Sequence, residues 1–165
     1  MAAIPSPDER SVQVAPAAPP YRGRTYSEFK LGERFGSTVV VSAEHLSVAA
    51  GLIGNFNPLH VDATFAAQTR FGGRILHGVM TSALMSAPFG NLVAGTAIGY
   101  LEHNARFFAP VAAGDTLDIE WTVSELLPKP AKGCGIVVAD CEARNQRGEL
   151  VATAVGKMLV ADSRA

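Results

Sequence analysis

Apolar and polar positions change their period several times along this chain. Thr38-Val39-Val40-Val41 is β-branched and apolar, which predicts a strand. From Ala43 the spacing becomes helical: Leu46, Ala49, Ala50 and Ile53 recur on one face, Ser42 is placed to cap the start, and Gly54 ends the run. Asn57-Pro58 reads as a turn, because a residue before proline is pushed out of helical space. Asp62 is placed to cap a short helix over Ala63 to Gln68, and Phe71 to Arg74 reads as a loop. A second long helix is expected from His77 to about Asn91, with a kink at Pro88. Its Val79, Met80, Ala83, Leu84, Met85 and Ala87 cover much of the circumference, which predicts burial nearly all round.

Beyond that helix the period falls to two. Thr96 to Phe108 is a candidate strand. Asp115 to Leu127 alternates Leu117, Ile119, Trp121 and Val123 against Asp118, Glu120, Thr122 and Ser124, the signature of a half-buried strand. Gly135 to Arg144 and Glu149 to Val160 are two more, joined by a hairpin turn at Asn145-Gln146-Arg147-Gly148. One strand, then helices, then an antiparallel run makes an α+β chain.

Composition narrows the class. A length of 165 residues, 48% of them hydrophobic and 18% charged, suits one domain with a sizeable core. A net charge of -1 argues against an extended nucleic-acid surface. No run of about 18 apolar residues is present to span a membrane. The 2 cysteines, Cys134 and Cys141, suit neither a disulfide scaffold nor a zinc site; they read as small apolar groups in a reducing, cytoplasmic setting. Residues 1–23 are rich in Pro and Ala and bury too little to offset their ordering entropy, so a disordered tail is expected there. The domain is expected over 24–161, with a second short tail at 162–165.

The densest chemical signal is Gly54-Asn55-Phe56-Asn57-Pro58-Leu59-His60, followed by Leu76-His77-Gly78. It resembles the G-D-x-N-P-L-H motif of the MaoC-like, (R)-specific enoyl-CoA hydratases. Arg106-Phe107-Phe108-Ala109-Pro110-Val111 and Gly114-Asp115-Thr116-Leu117 look like a second segment of that family, R-F-x-x-P-V…G-D-T-L. The resemblance runs from about Tyr26 to Val160 and departs at Asn55, where the family carries aspartate. It implies a single hot-dog domain, an antiparallel sheet wrapped around a central buried helix. It implies at least a homodimer. The implied reaction is reversible addition of water to a trans-2-enoyl-CoA, giving a (R)-3-hydroxyacyl-CoA. Coenzyme A enters as part of the acyl-CoA substrate, and no separate cofactor is expected.

That reaction needs a group to take a proton from water as its oxygen attacks C3, and a proton donor at C2; histidine titrates in the right range for such work. The resemblance makes His60 this group. Asn55, isosteric with the family's carboxylic acid, can hold water but cannot accept its proton. Gly78 opens the long helix, where unpaired N–H groups polarise a thioester oxygen and glycine permits its close approach. Asn57, His77, Ser86 and Arg74 are expected along the substrate, the His77 ring itself reading as packing at a helix start. Arg70, Arg74, Lys129 and Lys132 are available to phosphates. The histidines lack metal spacing, so no metal is expected. Two other functions fit the same residues: an acyl-CoA thioesterase on this fold, and a non-catalytic acyl-CoA-binding homologue. The asparagine itself has three origins open to it: adaptation with His60 as sole base, loss of hydratase chemistry, or an engineered Asp→Asn inactive variant.

Overall fold

The computed structural model describes residues 22–164. The Pro- and Ala-rich tail expected over 1–23 therefore lies, except for Arg22 and Gly23, outside the described residues. Chain order is β1 (Arg34–Val40), α1 (Ala43–Ile53), α2 (Pro58–Val61), α3 (Ala63–Ala67), α4 (Gly78–Leu92), β2 (Ala97–Phe107), β3 (Thr116–Lys129), β4 (Cys134–Asn145) and β5 (Leu150–Ala161). The strands form one antiparallel sheet in the order β1-β3-β4-β5-β2.

Local chemistry sets most of these boundaries. Ser42 accepts from the His45 N–H and its own N–H donates to His45 Nδ1, closing the first turn of α1. Gly54 takes φ 67°, a left-handed conformation that stops the helix. The Asn57-Pro58 turn is also a helix start: Asn57 is the cap, and Pro58 occupies the first helical position, where its missing N–H costs nothing. Asp62 caps α3 by accepting from Thr64 N and Phe65 N. β1 begins earlier than Thr38. Gly36 and Ser37 weaken the strand pattern in sequence, yet Phe35 and Gly36 pair with Trp121 and Glu120 of β3.

α4 packs on β1, β2, β3 and β5, and its buried face is Thr81, Met85, Pro88 and Phe89. Met85 and Phe89 share one core cluster with Trp121, Leu117, Ile119, Val137 and Val160, all essentially inaccessible. The expectation of burial nearly all round needs correction. Val79 is 62% exposed, and Ala83 and Ala87 lie open on the same side. The sheet of one chain covers one side of the helix and leaves the other apolar side bare. Pro88 removes the N–H that the Leu84 carbonyl would have received.

β3 buries Leu117, Ile119, Trp121 and Val123 as the alternation requires, until a bulge after Val123 breaks the pattern. Cys134 and Cys141 are free and buried, as their setting in β strands suggested. Residues 162–164, set apart as a tail, are tied down: Asp162 N donates to Gly133 O, and Arg164 bonds Glu28 and the Gly23 carbonyl. No helix among the described residues is long and apolar enough to cross a membrane.

Candidate active site

The loop between α1 and α2 is built by two asparagines. Asn55 Oδ1 accepts from the Asn57 N–H at 3.1 Å, and Asn57 Oδ1 accepts from the Leu59 N–H at 3.0 Å. A backbone N–H only donates, so the atom of Asn55 facing it is oxygen, and the free end of that amide is the NH2 group. Asn57 caps α2, a structural duty beyond the substrate contact expected of it.

α2 then carries His60, half-buried, toward the strand-like segment before α4. Its Nδ1 lies 2.8 Å from the Ile75 carbonyl. A carbonyl only accepts, so Nδ1 carries the hydrogen and Nε2 is left with its lone pair. Ile75 and Leu76 are themselves held from the far side of the chain. Leu76 N donates to Val111 O at 2.7 Å, and Ile75 bridges to Ala112. The Arg106–Val111 segment thus buttresses the loop on which His60 rests.

His77 is 2% exposed and is the N-cap residue of α4. Its Nε2–H donates to the main-chain carbonyl of Asn55 at 2.8 Å. Its ring stacks on that of His60, centroids 3.7 Å apart and planes 28° from parallel. The sequence expectation of a packed histidine was half of the answer, because what it packs against is the candidate base. Its Nδ1 is buried and finds no partner among the described residues.

Gly78 is the first residue of α4, and no acceptor for its N–H is found among the described residues. A Cβ at Gly78 would lie 3.5 Å from the Phe107 ring, so the glycine stands beside an aromatic wall. A cavity of about 310 Å³ runs alongside, lined by Gly78, Thr81, Phe107, Phe108, Arg70 and Phe71 among others. Arg70 lies 4.8 Å from the Phe71 ring centroid at this cavity, which brings one cation to a lining whose other polar side chain is Thr81. Phe107 was read from sequence only as part of the Arg106–Val111 segment, and Thr81 and the Ile75 carbonyl were not singled out; nothing in their local pattern distinguishes them from core positions.

The structure thus brings together Asn55, His60, His77 and Gly78. It does not bring Arg74 or Ser86 into hydrogen bonds with them. Arg74 is half-buried one residue before Ile75. Ser86 donates to the Ala83 carbonyl at 2.7 Å and lies roughly 12 Å along the helix axis from Gly78. Asp62, the nearest carboxylate in sequence, spends Oδ1 on the α3 cap. Among the described residues no group of three His, Cys, Asp or Glu is placed to hold a metal ion.

The arrangement sets a lone-pair acceptor on a held imidazole beside a helix N-terminus whose first residue, Gly78, lines the cavity, which Asn55, His60 and His77 do not. The sequence pattern of the MaoC like domain family matches residues 32–139. The chain is 37% identical over 89 residues to the 3-hydroxybutyryl-CoA dehydratase of Methylorubrum extorquens, covering 54% of this chain and 57% of that protein's length. It is 32% identical over 104 residues to the (R)-specific enoyl-CoA hydratase of Rhodospirillum rubrum, covering 63% of this chain and 72% of that protein. Among solved structures, the R-hydratase PhaJ1 from Pseudomonas aeruginosa superimposes with a TM-score of 0.74 at 31% identity, covering 86% of this chain and 88% of that one. These neighbours share the hot-dog fold with it.

Proposed function

Since the chain belongs to the MaoC-like domain family, we propose that it is an enoyl-CoA hydratase, adding water reversibly to a trans-2-enoyl-CoA to give a (R)-3-hydroxyacyl-CoA. The observation that carries this reading is the bond from His60 Nδ1–H to the Ile75 carbonyl, which leaves the Nε2 lone pair free on a ring stacked against the N-cap residue of α4.

The thioester oxygen is taken by the Gly78 N–H at the positive end of α4. A water molecule gives one proton to His60 Nε2 as its oxygen bonds to C3. The C2–C3 π electrons move into the thioester, forming an enolate on the polarised oxygen. The imidazolium then returns the proton to C2, and the enolate collapses to the thioester. One nitrogen serves both transfers, so no carboxylate is required. The amide NH2 of Asn55 holds the oxygen of water, or of the C3 hydroxyl in the reverse direction, by donating to it. Ser86 and Arg74 lie further along the acyl-CoA, and the Arg70 guanidinium suits a phosphate of coenzyme A. Coenzyme A is part of the substrate, and no cofactor is needed.

The protein acts as a homodimer or higher homo-oligomer in the cytoplasm. The bare side of α4 and the exposed Ile98 and Leu101 of edge strand β2 support the first, and the buried free thiols support the second.

Asn55 favours one other reading, a homologue that binds acyl-CoA without hydrating it. A paired assay separates them from a thioesterase. The purified protein is expected to consume the enoyl absorbance of crotonyl-CoA without releasing free thiol from saturated acyl-CoA. Thiol release would mark a thioesterase, and neither signal would mark a binder.

A further inference from the structure

The His77 side chain has no part in the proton transfers just described, yet it touches both elements that serve them. One face of its ring lies against His60 at 3.7 Å between centroids, and its Nε2–H holds the Asn55 carbonyl at 2.8 Å. We propose that His77 is a positioning residue, a buried plate that fixes the His60 imidazole in one orientation and one tautomer. This rests on the hydratase reading.

A histidine side chain turns about two bonds, and its ring has a nitrogen and a carbon on each flank. The Ile75 carbonyl engages one flank of His60 only. A single hydrogen bond at an edge leaves the ring free to swing about that contact. A second ring stacked on its face removes the swing, and Nε2 then points one way. His77 can do this because it is itself held: it is 2% exposed, its main-chain carbonyl accepts from Met80 N and Thr81 N at the start of α4, and its ring is tethered to Asn55. Its Nδ1 carries no hydrogen bond among the described residues, so no second bond fixes it. Its orientation therefore rests on the Asn55 carbonyl and on the stack.

The tether runs through the main chain of residue 55, not its side chain. The link from loop to His77 to His60 is thus indifferent to whether residue 55 is Asn or Asp. It also registers His60 against Gly78, the residue next to His77 in sequence. One side chain sets the spacing between the proton carrier and the oxyanion donor. Misplacing a reacting group by about 1 Å costs roughly 10²-fold in rate.

The test compares the parent protein with His77→Gln and His77→Phe. Glutamine keeps an N–H for the Asn55 carbonyl and lacks the ring; phenylalanine keeps the ring and lacks the donor. Long-range proton–nitrogen NMR spectra report which ring nitrogen carries hydrogen, and crotonyl-CoA kinetics report kcat and KM separately. In the parent, His60 is expected to show hydrogen on Nδ1 and His77 on Nε2. His77→Gln is expected to blur the His60 nitrogens towards an average and to lower kcat about 10²-fold with KM within about threefold. His77→Phe is expected to keep the His60 tautomer and lose roughly tenfold less. The proposal is overturned if His77→Gln leaves the His60 nitrogens and kcat as in the parent, if it changes KM alone, or if the parent carries hydrogen on His77 Nδ1. Should the parent hydrate no enoyl-CoA, the hydratase reading fails, and the nitrogen spectra alone decide for or against the plate. Should His77→Gln not fold, the parent spectra and His77→Phe decide.

Discussion

Trp121, on β3, donates its indole N–H to the main-chain carbonyl of Met85, in the middle of α4, at 2.8 Å. Both side chains are inaccessible to solvent. The bond bolts the helix to the sheet one turn before Pro88. It fixes the height at which the helix start, and Gly78 with it, sits over the sheet. Gly156 of β5 makes room for the indole, since a Cβ there would come within 2.8 Å of it.

Trp121→Phe removes that hydrogen bond and leaves a void. It is expected to destabilise the fold by about 2–4 kcal/mol, read from urea unfolding. A cost below about 0.5 kcal/mol would place the contact outside the cooperative core.

His60→Ala removes the only basic nitrogen the mechanism uses. Turnover of crotonyl-CoA should fall by about 10²–10⁴-fold while the unfolding midpoint changes little, because His60 is only half-buried. Parent-like turnover would take His60 out of the mechanism.

Asn55→Asp replaces a donating NH2 group with an accepting oxygen and hardly alters shape. The Asx turn to the Asn57 N–H survives, since a carboxylate oxygen accepts as well. If His60 is the adapted sole base, the new charge opposes the developing enolate, and hydration stays level or falls. A rise of about 10²–10⁴-fold would instead identify the parent as a weakened hydratase missing a proton acceptor. Steady-state kinetics on both proteins, with binding of a saturated acyl-CoA as control, tell the two apart.

The pH dependence of stability should show two separate windows. Burial holds His103 below the ordinary histidine range, so its folded form favours the neutral ring. The stability it contributes is present above its unfolded value of 6.5 and is lost as pH falls towards the lower folded value. Glu28 is held at about 2, chiefly by Arg164 and then by Thr25, against 4.5 when free. Its contribution is present above 4.5 and lost as pH falls towards about 2. His103→Gln should reduce only the upper window, and Glu28→Gln only the lower, to which Glu44 and Glu149, also held below 4.5, contribute as well, in thermal melts from pH 8 to 2. Loss of both windows in either variant would refute the separation.

Elements whose ends are set by neighbouring residues were legible before the structure. Ser42 and Gly54 bound α1 as read, and Asp62 caps α3, because caps act over three or four residues. The alternation of β3 gave its inward face correctly up to the bulge. What escaped depends on distant chain. Hydropathy says that Val79 and Ala83 are apolar, not which side of α4 the sheet takes. The stack of His77 on His60 joins residues seventeen apart, beside a segment that Val111 holds at Leu76. No local pattern carries such a contact.

The strand order β1-β3-β4-β5-β2 has a consequence for synthesis on the ribosome. Arg34 finds its partner at Thr122, and Ala97 at Val160. Such non-local pairing places folding nearer the millisecond-to-second range than the microsecond range. The segment carrying Asn55, His60, His77 and all of α4 emerges before four of the five strands that will support it. Until β3 to β5 have been translated, the apolar side of α4 has no sheet to lie on. Nascent chains arrested before β3 therefore expose Met85 and Phe89, and they are expected to bind a hydrophobic-surface dye or a general chaperone that full-length folded chains do not.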